Sequence, residues 1–307
     1  MESPPDLPPD LLRALARKHG LPEPLVRLPS PGVVNRVYAG AGVVLRVPDP
    51  AHPDGQRHGR TESVAVPAVT RAGLRTPALL VFDDDRDMLD VPITVYARAP
   101  GRSLQALGWP PGDPRARRAW TELGAELARV HQRVREVPDP QGWLSTPGRG
   151  DGRSVVEGLA RDGFITAEEA GWAARVVERA ADIPTPPARF LHGDLQPGNI
   201  LADEAGQLTA LIDWGDAGWG EPALEFPALP LRALPTLLAG YRSVAPELLG
   251  EGVEGRVLAD VLVMALARLR RMPSPREVWN ARPGSVLVEL LRFALEAGPG
   301  WAGWLRP

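Results

Sequence analysis

No cysteine occurs in the 307 residues, which excludes disulfides, thiol nucleophiles and cysteine-based zinc or iron–sulfur centres. Lysine is almost as scarce. Lys18 is the only one among 35 basic residues, so a mechanism that depends on a lysine has almost none to use. The five histidines are scattered and do not form the ligand set that a metal-dependent phosphohydrolase needs. No run of eighteen apolar residues is present. The best candidate, "VLADVLVMALARLRR", is broken by Asp260 and Arg268, and no membrane span is expected. The opening "MESPPDLPPDLL" is acidic and proline-rich, without the basic and apolar regions of a secretory signal. A formal net charge of −3 argues against a nucleic-acid surface. The expectation is a cytoplasmic protein with neither nucleic acid nor membrane as partner.

What is present is ordinary globular material: 44% hydrophobic and 24% charged residues, enough for one large domain or two lobes. Residues 9–19 read as an amphipathic helix with Asp10 as its N-cap and Leu11, Leu12, Leu15 and Ala16 on one side. Three strand-like runs follow, "LVRLPS", "NRVYAG" and "GVVLRVP", with "AGAG" as a hairpin turn between the second and third. Residues 60–73 have helical spacing, with Pro67 expected to kink or split the segment. "PALLVFD" and "VPITVYARAP" are two further strands, separated by the acidic turn "DDDRD". Beyond "APGRSL" the texture turns helical. Helices are expected over 115–135, 154–161 and 167–181, the last opened by a Thr166/Glu169 capping box. Residues 227–307 read as helices punctuated by Pro and Gly. The expected fold is α+β: a small lobe over 1–96 with an antiparallel sheet and one helix, and a larger, mainly helical lobe over 97–307, hinged near 96–101.

The chemistry concentrates in "FLHGDLQPGNILADEAGQLTALIDWGDAGWG", residues 190–220. Asp194 and Asn199 lie five residues apart on a segment that Pro197 and Gly198 keep from being a regular helix. Such a loop can turn two short polar side chains toward one point. Asp213 follows fourteen residues after Asn199, at the end of the apolar run "LTALI". An amide oxygen and a carboxylate are hard donors suited to magnesium, which takes few protein ligands and fills its sphere with phosphate oxygens and water. Asp194 can accept a proton from an attacking hydroxyl, or orient it. Each residue alone also reads as a turn former. The ordered set, separated by strand segments behind a β-rich half, is the parts list of phosphoryl transfer from a nucleotide. "DEAG" at 203–206 reads as a plain hairpin turn.

"HGDLQPGNIL" followed by "LIDWGDAGWGEPALEF" resembles the signature of the aminoglycoside phosphotransferase (APH/choline kinase-like) family, whose fold is that of the protein kinases. The resemblance is specific over about 190–226 and weaker over most of the chain. It implies a two-lobed protein-kinase-like fold, Asp194 as catalytic base, Asn199 and Asp213 as magnesium ligands, and His192 as organiser of the loop. Glu221 and Glu225 are expected to anchor this loop or the helix after it. In "LPSPGVVNRVY", Gly32 would admit backbone N–H groups to phosphate, and Asn35 would hold the turn or touch phosphate. Where protein kinases carry a lysine on the third strand, this chain has Arg46, which grips phosphate in a bidentate manner. Glu62 is its expected ion-pair partner, and backbone groups of Tyr96 to Arg98 are expected along a purine edge.

The reaction expected is transfer of the γ-phosphate of ATP or GTP, with Mg2+, to the hydroxyl of a small substrate. The alternative is a nucleotide-binding pseudokinase, which would normally have lost one of Asp194, Asn199 or Asp213. For the acceptor, Glu157, Asp162, Glu168, Glu169 and Glu221 are candidate contacts to a polycation. Trp143, Trp219 and Trp279 are candidates for an apolar or cationic pocket.

Overall fold

The computed structural model describes residues 5–28, 34–110, 112–272 and 282–305. Gly32 and Trp279 lie outside the described residues. The N-terminal part is a five-stranded antiparallel sheet built from β1 (Val26–Arg27), β2 (Asn35–Gly40), β3 (Val43–Pro48), β4 (Leu79–Asp83) and β5 (Ile93–Ala97), in the order β1-β2-β3-β5-β4. Alternation along the strands gives the sheet two different faces. Leu45 and Val47 of β3 and Ile93 and Val95 of β5 share one core with Leu15 and Ala16 of α1 (Pro9–Lys18). Arg46, Thr94 and Tyr96 take the alternate positions and turn to the opposite face, where α2 (Pro53–Arg71) lies. The register pairs Arg46 with Thr94 and Val44 with Tyr96.

Two local expectations are corrected here. The first helix starts at Pro9, with Pro8 at the N-cap and no side-chain cap. Asp10 sits inside the first turn and pairs with Arg13 instead, because Pro at the first helical position needs no donor satisfied there. The second helix starts earlier than expected and runs through Pro67 unbroken. Ala65, Val66, Ala68 and Val69, on both sides of that proline, are buried in the main core. Their packing holds the helix against the missing hydrogen bond.

After β5 the chain passes through β6 (Arg102–Ser103) and the short α3 (Leu104–Leu107) into α4 (Pro114–Arg133), capped by Asp113, then α5 (Gly152–Arg161) and α6 (Ala167–Ala181). The Thr166/Glu169 capping box forms as expected. Residues 189–220 contribute β7 (Arg189–Leu191), β8 (Ile200–Ala202), β9 (Leu208–Leu211) and β10 (Gly218–Gly220). These make two small antiparallel sheets, β6-β8-β9 and β7-β10. Helices α7 (Leu234–Arg242), α8 (Val253–Ala267), α9 (Ser285–Glu296) and α10 (Pro299–Ala302) complete the chain.

Helices α4 and α7 approach so closely that a Cβ at Gly124 would stand 1.9 Å from the Leu237 carbonyl oxygen, and one at Gly240 would stand 2.1 Å from that of Thr121. Glycine at both positions is a packing requirement. The main core joins α2, through Ala65, Val66 and Val69, to α4, α7 and α8. No helix among the described residues is long and apolar enough to cross a membrane.

Candidate active site

The hairpin β8–β9 explains how residues fourteen apart in sequence meet. Its turn closes as expected at Asp203, whose carboxylate accepts from Ala205 N–H (2.9 Å) and Gln207 N–H (2.8 Å). The register pairs Ile200 with Leu211, and the Ile212 N–H donates to the Asn199 carbonyl at 3.0 Å. Asn199 and Asp213 therefore leave the same end of one hairpin. The Asn199 amide donates to the Asp194 carbonyl (2.9 Å) and to its carboxylate Oδ2 (3.1 Å), which also accepts from Gln196 (2.8 Å). Asp194 Oδ1 and Asn199 Oδ1 keep no hydrogen bond among the described residues.

The turn before Asp194 is held from below. Glu225, buried, accepts from the His192 N–H at 2.5 Å and from the Gly193 N–H at 3.4 Å. Gly193 has φ +84°, and a Cβ there would stand 2.0 Å from the Asp216 carbonyl oxygen, so only glycine fits. His192 is buried. Its Nε2 donates to the Ile212 carbonyl at 2.9 Å, and its ring lies 4.5 Å from that of Trp214. Behind Glu225, His131 Nε2 lies 3.6 Å from Oε1, and His131 Nδ1 meets the Tyr241 hydroxyl at 2.7 Å. The expected anchoring role of Glu225 is what the contacts describe. Glu221 anchors differently, through ion pairs to Arg256 (2.5 Å) and Arg149 (2.8 Å).

Arg46 and Glu62 meet as expected, with Arg46 Nη1 2.7 Å and 2.9 Å from the two carboxylate oxygens. Arg46 Nη2 also reaches Asp213 Oδ1 at 3.0 Å, a link across 167 residues that the sequence does not announce. The Tyr96 hydroxyl donates to Glu62 Oε2 at 2.6 Å, so its side chain, and not only its backbone, belongs to the site. The backbone further on is largely committed. Ala97 N–H donates to Ala78 (2.9 Å) and Arg98 N–H to Gly42 (2.9 Å). A purine edge would therefore have to take carbonyls of this segment, or the N–H of Ala99, the next donor along and uncommitted among the described residues. Asn35 opens β2 opposite Pro48 and shares the face of Arg46.

Charge follows from this geometry. Burial pushes the Glu62 carboxyl up against the pull of Arg46. Burial also works against the Arg46 cation, but Asp213 and Glu62 outweigh it and hold its pKa above the ordinary value. Asp213 resists ionisation through burial, yet Arg46 and nearby histidines hold its pKa below the usual carboxylate range. Its backbone has φ +67°, uncommon for a residue with a Cβ and a form of strain that concentrates at functional sites. Asp194 is raised, first by burial and then by the charges of Asp213 and Asp216. A raised carboxyl with one free oxygen is suited to accept a proton.

Asp216 is anchored. Arg57 Nη2 donates to its Oδ1 at 2.7 Å, and His58 Nε2 lies 3.5 Å from Oδ2. Arg57 also reaches the Ser145 hydroxyl (3.1 Å) and the Gly215 carbonyl (3.5 Å), joining α2 to the loop after Asp213. Hydrogen bonding to His58, and then Arg57, holds the Asp216 pKa down to about 2. His58 is in turn raised, because the Asp216 bond outweighs burial. Sequence reading missed Arg57 and His58, which precede the helix expected over 60–73 and lie within the longer α2.

The metal question turns on donor chemistry. Among the described residues no group of three or more His, Asp or Glu is placed to hold a metal. The candidate donors are the free Asn199 amide oxygen and the second oxygen of Asp213. Two hard oxygens suit an ion that keeps water and phosphate in its sphere.

A β-rich half carrying an Arg–Glu pair, joined to a helical half carrying an Asp–Asn loop and an Asp at a hairpin end, is the architecture of a protein-kinase-like phosphotransferase. The comparisons agree. Residues 25–235 match the sequence profile of the phosphotransferase enzyme family, and the chain belongs to that family; small-molecule kinase function follows from that membership. No curated protein sequence matches significantly. Among solved structures, the chain is similar to a GDP complex of aminoglycoside 2'-phosphotransferase-IIIa, at 14% identity with 96% of this chain and 94% of that one covered and a TM-score of 0.64. It is similar to a streptomycin–ATP ternary complex of APH(2")-IIa, at 15% identity, 96% and 99% coverage and a TM-score of 0.60. It is also similar to macrolide 2'-phosphotransferase MphH from Brachybacterium faecium, at 18% identity, 97% and 96% coverage and a TM-score of 0.57. Identities this low speak to the fold alone.

Proposed function

We propose that this protein transfers the γ-phosphate of ATP or GTP to a hydroxyl of a small molecule, with Asp194 as the base. The observation that carries this reading is the convergence of Asp194, Asn199 and Asp213 on one hairpin end, with Arg46 bound to Asp213 at 3.0 Å. The nucleotide side of the site comes from residues 1–96 and the catalytic and acceptor side from 97–307. Arg46 is held in place by Glu62 and Tyr96, and its remaining N–H groups meet the donor's phosphates. Asn35 belongs to the same phosphate side, and the segment Tyr96–Arg98 borders the base. Asn199 and Asp213 would hold Mg2+, which supplies charge neutralisation on the transferring group. Asp194 has its Oδ2 held by Gln196 and Asn199. It presents Oδ1 to the acceptor hydroxyl, orients it and takes its proton. Positioning and electrostatics supply most of the acceleration.

The acceptor is a small hydroxylated molecule. The carboxylates that would grip a polycation are mostly engaged within the protein. Glu157 pairs with Arg153, Asp162 with Arg270, and Glu221 with Arg149 and Arg256, while Glu169 closes its capping box. Trp143 packs edge-on against Phe82 and Trp219 against Phe190. Nothing in these contacts favours an aminoglycoside over a neutral acceptor.

The test measures nucleotide consumption against a panel of hydroxylated amines, macrolides, aminoglycosides and sugars, alongside thermal shifts with ATP and GTP with and without magnesium. The expected result is a magnesium-dependent nucleotide shift and turnover with at least one acceptor. A shift without turnover across the panel and without slow nucleotide hydrolysis would favour the pseudokinase instead, and no shift at all would sink both.

A further inference from the structure

Away from the candidate active site, a cavity of about 460 Å³ opens between the end of α4 and the start of β7, lined by His131, Arg135, Arg189, Trp219 and Glu247 among others. It adjoins a depression of about 710 Å³ between α2 and the residues after α4, lined by Arg71, Arg133, Arg135 and Glu136. The two share Val134 and Arg135. Neither is lined by Arg46, Asp194, Asn199 or Asp213. Arg189 pairs with Gly220 at the far end of the β7–β10 ladder from Leu191, so the cavity lies at the opposite end of that ladder from the catalytic turn.

Its charge is unusual for this molecule. Four arginines face two glutamates across the joined surface, in a chain whose net charge is −3. Arg71, Arg133, Arg135 and Arg189 form no ion pair with any described carboxylate, whereas Arg129, on the same helix as Arg133, holds Glu126 at 3.0 Å. Arg189 goes further: its Nε is buried without a hydrogen-bond partner, and its side chain makes no hydrogen bond among the described residues. A buried donor left unmatched costs about 1–3 kcal/mol, and such groups call for a partner outside the chain. Trp219 supplies an aromatic wall, fixed by edge contact with Phe190 at 5.5 Å. The volume lies in the range of small-molecule sites.

We propose that this cavity binds a small aromatic phosphate, its phosphate held by Arg189 and Arg135 and its ring set against Trp219. Guanidinium forks match phosphate oxygens in pairs, and a concave surface with an excess of positive charge concentrates the anion. The ring adds contact with the indole face.

The test titrates phenyl phosphate, inorganic phosphate and phenol into the full-length protein by calorimetry, using wild type, Arg46→Ala and Arg135→Ala/Arg189→Ala. The expected result is saturable binding of phenyl phosphate that is tighter than inorganic phosphate and much tighter than phenol. That binding should persist in Arg46→Ala and weaken at least tenfold in the double variant. Loss in Arg46→Ala with retention in the double variant would place the anion in the nucleotide cleft and overturn the proposal, as would no saturable binding to wild type. Should the double variant fail to fold, Arg135→Glu alone, at an exposed position, is expected to weaken binding at least fivefold; unchanged affinity counts against the site. Because nine tryptophans share the emission, a phenyl phosphate-dependent fluorescence change that disappears in Trp219→Phe locates the ring. A change that survives that substitution puts it elsewhere.

Discussion

The two halves of the candidate active site are held by different means. On the sheet side, Arg46, Glu62, Tyr96 and Asp213 hold one another through side-chain charge and hydroxyl contacts that span β3, α2, β5 and the end of β9. On the side of the proposed base, buried Glu225 grips the backbone N–H groups of His192 and Gly193, and His131 and Tyr241 back it. The first arrangement fixes charges; the second fixes a turn. A charge network suits the side that must admit and release a polyanion, because Asp213 can exchange Arg46 for other cationic partners. A clasped turn suits the side of the proposed base, because backbone bonds leave little freedom to drift.

The largest expected effect touches neither hold. Asp194→Ala should lower turnover by about a hundredfold to ten-thousandfold, the range for a positioned base. Nucleotide affinity and melting temperature should stay close to wild type in calorimetry and thermal melts. Retained turnover would remove Asp194 from the mechanism.

Breaking the charge network comes next. Arg46→Ala leaves Glu62, 2% exposed at its side chain, as an unpaired carboxylate, and losing one partner of a buried pair costs about 3–5 kcal/mol. Denaturant unfolding should report that loss together with weakened nucleotide binding. The double variant Arg46→Met/Glu62→Leu should regain much of the stability without the binding. If stability fails to recover, the pair is not what holds this half.

On the clasped side, Gly193→Ala forces a Cβ toward the Asp216 carbonyl at a positive φ. It should cost at least about 1–3 kcal/mol, the scale of a strained backbone position, with turnover falling further than nucleotide affinity. Glu225→Gln should act more mildly. It keeps one acceptor oxygen, replaces the other with an NH2 that cannot accept, and removes the charge, so one of the two N–H groups loses its partner; kcat should fall severalfold while nucleotide Kd holds. A fall in affinity instead would erase the distinction between the halves.

The smallest effect is pH-dependent. The Asp216 carboxyl, held down to about 2, contributes stability that is complete above its ordinary 3.8 and is lost as pH falls from there through about 2. The imidazole of His58 is raised, so its contribution is complete below its ordinary 6.5 and is lost as pH rises through the elevated value. Asp216→Asn should therefore lower the melting temperature most between about pH 4 and 6.5, with the gap from wild type narrowing on both sides. A gap independent of pH would mean that the contact does not depend on these charges.

Much of this was legible in the chain. The five strands of the first hundred residues, the capping box at Thr166 and the turn at Asp203 follow from local pattern, since period and turn chemistry act within a few residues; the Arg46–Glu62 pair, 16 residues apart, was legible only through the family resemblance. The continuity of α2 through Pro67 was not legible, because burial of Val66 and Val69 against distant helices decides it. Nor was the pairing of β7 with β10, whose three residues each carry too little pattern to read.

The sequence by itself determined the cast of the site: Asp194, Asn199 and Asp213 in order on a glycine-rich stretch, an arginine where a lysine is usual, and no cysteine. Those are matters of residue chemistry and spacing, which need no partner to be read. Only the tertiary structure decided that Arg46 reaches Asp213, that Tyr96 serves Glu62 with its hydroxyl, that Arg57 and His58 hold Asp216, and that Arg189 has no hydrogen-bond partner among the described residues beside Trp219. Each of these depends on which distant segments share a face. Strand register and helix packing set that, through burial of apolar surface that no short window of sequence contains.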